Sequence, residues 1–140
     1  MTTGVHTWED DGHCYLCGKH NPEGLHLEFR LEGRELETTF TAEKRHQGYK
    51  DVLHGGLLAM VLDEVMVMLP YRLFGTVNAN AEFTVRLHRP VPIGSRLVVR
   101  ASFAGPAVAG QRLYRMAAEA RTMDGALAAS ATGACVRVRS

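Results

Sequence analysis

The sequence predicts an α+β fold in which one long, buried helix packs against an antiparallel sheet of five or six strands. Two observations carry this prediction. Apolar and polar residues alternate along most of the chain outside its middle, which is the period-two pattern of half-buried strands. The middle instead holds one long apolar run rich in Leu, Ala and Met, residues that favour a helix.

The first half of the chain predicts a hairpin, a loop and the helix. Four apolar side chains alternate with polar ones over residues 25–31, Gly33 marks a turn, and a partner strand continues through Phe40. Residues 42–53 are polar and rich in turn formers, which predicts a loop. The helix is expected from His54 to Pro70, and because it is apolar on nearly every face it must be buried.

After Gly75 the pattern predicts strands only. One strand alternates without a break over residues 77–87, with its apolar side chains at the odd-numbered positions. Further strands are expected over residues 96–104, around residues 114–120, and over residues 128–139, separated by turns at Pro90–Gly94, Gly105–Gly110 and Asp124–Gly125. The predicted inner face of the second-last strand comprises Tyr114, Met116, Ala118 and Ala120.

Length and composition predict a single intracellular domain. The 140 residues fit one domain, 1–140, in which residues 1–24 form an N-terminal loop segment, and such a chain folds without disulfides or metals. The three cysteines and the absence of an apolar leader favour the cytoplasm. The apolar run over residues 57–69 is short and contains Asp63 and Glu64, which argues against a membrane span.

Charge is unevenly distributed along the chain. The net charge of +1 argues against a nucleic-acid partner. Residues 1–82 contain seven Lys and Arg against thirteen Asp and Glu, whereas residues 83–140 contain nine Arg and only two acidic residues. The two halves could pair within one fold or across a dimer, or the basic half could present a surface to an anionic ligand such as a phosphate.

The segment from Leu53 to Gly56 is the strongest motif. Two glycines at the start of a helix lower its propensity, so a compensating role is expected for Gly55 and Gly56. They could let a ligand approach free backbone N–H groups at the positive end of the helix dipole, where a carbonyl would be polarised and an oxyanion held. Tight packing of the helix start against the sheet would explain them equally well.

Asp63 favours the functional interpretation, because a carboxylate inside an apolar helix is costly unless it is paired or used. Along one helix, however, Gly55 and Asp63 lie roughly 12 Å apart at 1.5 Å per residue. Two antiparallel helices meeting across a dimer axis would bring Gly55 of one chain toward Asp63 of the other. The sequence therefore predicts a dimer with an interfacial site, in which Glu64 is the competing carboxylate.

These residues resemble the hotdog-fold acyl-CoA thioesterases, and in particular the phenylacetic-acid-degradation (PaaI-like) group. The resemblance rests on His54-Gly55-Gly56 followed by an acid nine residues after the histidine. The turn over residues 89–94 and the segments 14–18 and 21–25 also look familial, so the likeness covers residues 14–139.

The resemblance implies a helix wrapped by a curved sheet, a homodimer or homotetramer, and hydrolysis of a small or medium acyl-CoA without a cofactor or metal. By this analogy Asp63 acts as general base or nucleophile, the Gly55 N–H binds the carbonyl oxygen, and His54 orders the helix start. Asn80 matches a position where relatives place a polar side chain near the nucleophile, although it could also be a solvated strand residue. Around them, Gly48, Gly56, Glu64, Arg86 and Arg89 are assigned to substrate binding.

Two features qualify this assignment. Many relatives carry an Asn six residues before the motif histidine, where this chain has Gly48, and the neighbouring Gln47 could supply an amide instead. Coenzyme A carries phosphates that arginines at a pocket mouth would hold, and Arg86, Arg89 and Arg112 are the candidates. The acyl chain, aliphatic or aromatic, is left open.

The segment His13–His20 contains a Cys14-x-x-Cys17 pair. A lone pair of this kind is a weak metal signal, and no helix start follows Cys14 to support redox chemistry, so a structural loop is preferred. Four ligands, with His13 and His20, would make a very tight site. Cys135 is interpreted as a strand residue.

Three other functions are alternatives to hydrolysis. The first is a catalytically silent hotdog module that binds acyl-CoA or a related ligand. The second is a zinc-dependent binding module that uses the Cys/His loop. The third is a hotdog dehydratase, which is disfavoured because His54 has no evident acid partner for β-elimination.

Overall fold

The computed structural model describes residues 8–138 and has one helix packed on a six-stranded antiparallel sheet. The strands are β1 (Arg30–Glu32), β2 (Glu35–Thr41), β3 (Asn78–Leu87), β4 (Arg96–Phe103), β5 (Leu113–Thr122) and β6 (Leu127–Arg137), and the helix is α1 (Gly55–Phe74). The sheet order is β1-β2-β4-β5-β6-β3, so β3 forms one edge. This architecture confirms the α+β hotdog fold expected from the sequence.

The core lies between α1 and the concave face of the sheet. Helix residues at i, i+3 and i+4 spacing point into it, and the alternating residues of β4 and β5 meet them. The inner face predicted for β5 is confirmed, since all four of its members are buried: Tyr114, Met116, Ala118 and Ala120. Cys135 is a buried residue of β6, also as predicted.

The predicted first strand is wrong over residues 25–29, because regular β structure begins only at Arg30. His26 has a φ of 53°, a left-handed conformation that interrupts an extended chain. Residues 25–29 instead follow the N-terminal loop, where the Leu25 N–H donates to the Tyr15 carbonyl and the Leu27 N–H to the Leu16 carbonyl, each at 2.8 Å.

The helix does not end at Pro70 but continues for another turn to Phe74. A proline has no N–H for the carbonyl four residues earlier, which here belongs to Met66. The Cys135 sulfur of β6 lies 3.8 Å from that carbonyl oxygen. The helix ends instead at Gly75, whose φ of 77° is the left-handed conformation of a C-cap.

Strand β3 does not alternate without a break as predicted, because its register with β6 shifts between Asn80 and Glu82. A β-bulge of this kind exchanges the two faces of a strand. Asn80 therefore faces the helix before the bulge, while Phe83 and Leu87 face it afterwards. The expected end of β6 at Arg139 lies outside the described residues, and the strand is described to Arg137.

The acidic and basic parts of the chain pair within the fold. Arg100 of β4 forms an ion pair with Glu37 of the neighbouring strand, and its guanidinium lies 3.5 Å from Glu35 and 3.9 Å from Glu32. Internal pairing therefore accounts for part of the uneven charge. Of the residues that the structure describes, no helix combines the length and apolar character needed to span a bilayer.

Candidate active site

His54 caps the N-terminus of α1. Its backbone is extended, and its Nδ1 atom accepts a hydrogen bond from the Gly56 N–H at 2.9 Å. Because Nδ1 is the acceptor, the neutral imidazole carries its proton on Nε2. The His54 carbonyl accepts from the N–H groups of Leu57 and Leu58, so this residue organises the first turn.

Gly55 presents the first amide of the helix to an open groove of about 810 Å³. Among residues 8–138, no acceptor is hydrogen-bonded to the Gly55 N–H. A Cβ atom built on Gly55 would lie 2.6 Å from Cδ1 of Leu87, which also lines the groove, so a side chain here would occupy space beside the N–H. The glycine thus keeps a free N–H accessible at the positive end of the helix dipole.

Asp63 lies on α1 beside β3, and its carboxylate is held by an amide. Nδ2 of Asn80 donates to Oδ1 of Asp63 at 2.7 Å, and the Cys135 thiol donates to Oδ1 of Asn80 at 3.2 Å. The thiol bond fixes which end of the amide faces the carboxylate. The proximity of Asn80 and Asp63 follows from the β-bulge, which turns Asn80 toward the helix.

Gly133 of β6 makes room for this pair, and the sequence analysis missed it. A Cβ atom at Gly133 would lie 2.8 Å from Oδ1 of Asn80 and 3.2 Å from Cβ of Phe83. Glycine in the interior of a strand indicates a close approach of this kind, so its position within the predicted last strand was the available signal.

The Asp63 carboxylate has no cationic partner among the described residues. No Lys, Arg or His among residues 8–138 forms an ion pair with it within 4 Å. Burial raises the pKa of Asp63, and the hydrogen bond from Asn80 lowers it by a smaller amount. The group is therefore a stronger base than an exposed aspartate and ionises at a higher pH.

The two halves of the expected site do not meet within one chain. The groove at Gly55 is lined by residues of the loop, the helix start and the turn after β3, and Asp63 is not among them. Their separation of eight residues along α1 corresponds to roughly 12 Å.

Gln47 and Gly48 are neighbours in the loop before the helix, but they line two different depressions. Gly48 lines the groove at Gly55, where a Cβ atom would lie 3.2 Å from Cδ2 of His54. Gln47 lines a shallower depression on the other side of His54, and its Oε1 accepts from the Asp51 N–H at 3.0 Å. The amide of Gln47 therefore stabilises its own loop.

The three candidate arginines differ in their position relative to the groove at Gly55. Arg89 lines the groove at Gly55, together with His88 and Val91. Arg86 and Arg112 are exposed but are not among the residues that line this groove. Of the three, the structure places only Arg89 beside the helix start.

Glu64 points away from the Asp63 carboxylate into a second groove of about 500 Å³, which we call the thiol groove. It is lined by Trp8, Glu9, Asp10, Asp11, His13, Cys14, Cys17, Glu64, Val67, Met68, Tyr71, Val77 and Asn78. The Cys14 thiol donates to Oε2 of Glu64 at 3.7 Å. Burial raises the pKa of Glu64, and bonds from the Cys17 and Cys14 thiols lower it.

Comparison with solved structures identifies the same architecture in thioesterases. A protein described as a member of the thioesterase superfamily is 27% identical with a TM-score of 0.76, over 89% of this chain and 60% of that one. A phenylacetic acid degradation-related protein of Ralstonia eutropha is 25% identical with a TM-score of 0.70, over 80% and 85% of the two chains. The chain thus spans less than two thirds of the first of these proteins.

A thioesterase from Streptococcus pneumoniae, solved with coenzyme A, is 14% identical with a TM-score of 0.72, over 80% of this chain and 88% of that one. No protein-family model matches the chain, and no curated protein is similar to it. The chain therefore has the hotdog fold and is similar in structure to these thioesterases. The resemblance to the PaaI-like group expected from the sequence is confirmed as a likeness of structure.

Proposed function

We propose that this chain is an acyl-CoA thioesterase whose active site is shared between two copies of the chain. The observation that carries the proposal is the half-buried Asp63 carboxylate, which is held by Asn80 and unpaired with any described cation. A carboxylate kept in this state costs stability, and such groups concentrate at functional sites.

Asp63 activates the attack on the thioester. As a general base it takes a proton from water, whose oxygen adds to the acyl carbon; as a nucleophile it adds directly and water then cleaves the acyl-enzyme anhydride. In both routes the carbon–sulfur bond breaks and the departing sulfur takes up a proton. The sum is one acyl-CoA and one water giving one free acid and one CoA thiol, with Asp63 regenerated.

The free N–H of Gly55 stabilises the carbonyl oxygen as it becomes an oxyanion, because a helix N-terminus concentrates positive potential there. Since Gly55 and Asp63 of one helix are roughly 12 Å apart, the pair that acts on one thioester combines Gly55 of one copy with Asp63 of the other. His54 serves this arrangement by fixing the first turn of α1.

Exposed apolar side chains support a homodimer, which could pair further into a tetramer. Met60 on α1 is 39% exposed, and Phe83 and Leu87 on β3 are 40% and 56% exposed. Strand β3 is also a sheet edge, where unpaired backbone groups can bind a second strand. Pairing through β3 and α1 would cover these side chains and bring the two helix starts toward the partner's aspartates.

The groove at Gly55 offers a positive charge to the phosphates of coenzyme A. Arg89 at its wall would bind a phosphate of CoA, and the S. pneumoniae thioesterase with the same fold was solved with coenzyme A. All three cysteines of the chain are free thiols, which suits activity in a reducing compartment such as the cytoplasm.

The first test measures thiol release from a panel of aliphatic and aromatic acyl-CoAs. Asp63→Asn should lower turnover by at least about 100-fold while the protein still folds and binds CoA. Glu28→Gln, an exposed acid outside both grooves, is the matched control. Turnover that survives in Asp63→Asn but not in Glu64→Gln would transfer the role to Glu64, and binding of CoA without any turnover would support a binding module instead.

A complementation experiment tests the shared site. Asp63→Asn and Gly55→Val each inactivate every site in their own homodimers. In a mixed dimer, one of the two sites would combine a native Asp63 with a native Gly55, so random co-assembly should restore about a quarter of native activity. No recovery in a verified mixed dimer would place both groups of one site in the same chain.

A further inference from the structure

Two cysteines and a glutamate that are distant in sequence meet at the floor of the thiol groove. The Sγ atoms of Cys14 and Cys17 and a carboxylate oxygen of Glu64 all lie within 4.8 Å of one another, and all three residues are half-buried. The thiols come from the N-terminal loop and the carboxylate from the middle of α1. His13 and His20, the local partners considered from the sequence, are not members of this cluster.

The loop is built to hold both thiols toward the helix. The Gly18 N–H donates to the Cys14 carbonyl at 2.8 Å, which closes a tight turn around the Cys-x-x-Cys segment. A Cβ atom at Gly18 would lie 2.4 Å from the Cys14 nitrogen and 2.5 Å from the Gly12 carbonyl oxygen. These contacts are with backbone atoms that cannot give way, so the close packing of the loop requires glycine.

The half-buried Glu64 carboxylate has no cationic partner among the described residues. Among residues 8–138, no Lys, Arg or His lies within ion-pair distance of Glu64. Asp63 and Asp10 add further negative potential at its carboxylate. A half-buried carboxylate beside two thiols, with no described cation within ion-pair distance, is costly unless a cation neutralises it.

We propose that Cys14, Cys17 and Glu64 bind one Zn²⁺ ion per chain and so fasten the N-terminal loop to α1. Two thiolates favour zinc over magnesium or calcium, while the carboxylate oxygen makes the set less suited to Cu(I). Ligand atoms around tetrahedral zinc lie roughly 3.5 to 3.8 Å apart, so small side-chain rotations close the site. Binding releases the two thiol protons to solvent and changes no oxidation state.

The fourth coordination position faces the thiol groove. Three protein ligands leave tetrahedral zinc one site for water or for a small ligand, and the groove of about 500 Å³ gives both access to it. The site is separate from the groove at Gly55, which shares no lining residue with it. Zinc binding is measured directly on the protein, so its test does not require thioester hydrolysis.

The test is equilibrium dialysis of the full chain against Zn²⁺ after removal of metal by a chelator, with metal analysis of the protein. Native protein should bind one equivalent. Cys14→Ser, Cys17→Ser and Glu64→Gln should each weaken binding by more than about 100-fold, the upper end for loss of an outer-shell partner. Glu9→Gln, an acid on the rim of the same groove, is the matched control and should bind as the native chain does.

Cobalt substitution of the native chain provides a readout that needs no variant to fold. A complex with both thiolates should show intense sulfur-to-cobalt charge-transfer absorption. Failure of native protein to bind Zn²⁺ stoichiometrically, or a cobalt complex without this absorption, would overturn the site. If a folded Glu64→Gln variant binds Zn²⁺ as tightly as the native protein does, helix α1 supplies no ligand to the site.

Discussion

The amide of Asn80 donates to the carboxylate of Asp63 at 2.7 Å, which joins strand β3 to helix α1 at the centre of the candidate active site. The Cys135 thiol on β6 orients that amide by donating to its oxygen at 3.2 Å. Three elements thus converge on one carboxylate. Asn80 holds it without neutralising it, because an amide supplies a hydrogen bond but no charge.

The pH dependence of thioester hydrolysis should report the pKa of Asp63. Catalysis needs the ionised carboxylate, and burial raises its pKa, so kcat/KM should fall toward low pH at a higher pH than for an ordinary aspartate. In Asn80→Ala the bond that lowers this pKa is lost, so the acid limb should move to still higher pH. Steady-state pH–rate profiles measure both effects. An unchanged limb in an active Asn80→Ala protein would show that another group controls it.

Gly133→Ala should disturb the site although neither of its polar residues, Asn80 and Asp63, is replaced. The added methyl would lie 2.8 Å from Oδ1 of Asn80, so the Asn80 side chain must shift and its hydrogen bond to Asp63 is disturbed. We expect a stability loss of about 1–3 kcal/mol, typical of an overpacked position, together with a marked loss of kcat. Thr132→Ala on the exposed neighbouring position is the control. Full activity in a folded Gly133→Ala protein would contradict the requirement for this contact.

Gly55→Ala should lower turnover by occupying space at the Gly55 N–H, and a second substitution separates this effect from its contact with the exposed Leu87 side chain. The methyl would lie 2.6 Å from Cδ1 of Leu87, and Leu87→Ala removes that obstacle. The double variant should fold at least as well as Leu87→Ala, because alanine exceeds glycine in helix propensity by up to about 1 kcal/mol. If the space at the Gly55 N–H serves the substrate, the double variant should still turn over more slowly than Leu87→Ala. Equal rates would contradict that role.

His54 can be tested as a helix cap separately from any chemical role. His54→Ala removes the acceptor for the Gly56 N–H and should lower the free energy of unfolding by about 1 kcal/mol. His54→Asn provides another side-chain acceptor and should recover most of that stability. Denaturant unfolding measures both changes. If His54→Asn is stable and active, capping suffices to explain the residue, whereas a stable but inactive variant would assign the imidazole a further role.

Much of the fold was accessible from the sequence because alternation and turn residues are local signals. The inner face of β5 and the turns at Gly33 and Gly125 depend on neighbouring residues alone, and each is confirmed. Two local predictions failed where distant residues compensate. Helix α1 continues through Pro70, where the Cys135 thiol meets the Met66 carbonyl, and residues 25–29 follow the N-terminal loop rather than a strand.

The candidate site likewise combines relations that the local sequence predicts with relations that only tertiary packing creates. By itself the sequence determined that a helix begins at two glycines and carries Asp63 within an apolar run, since spacing along one helix fixes those relations. Only the tertiary structure decided that Asn80 meets Asp63, because a β-bulge exchanged the faces of β3. It also decided that Glu64 joins Cys14 and Cys17, since no periodicity relates groups that long-range packing brings together.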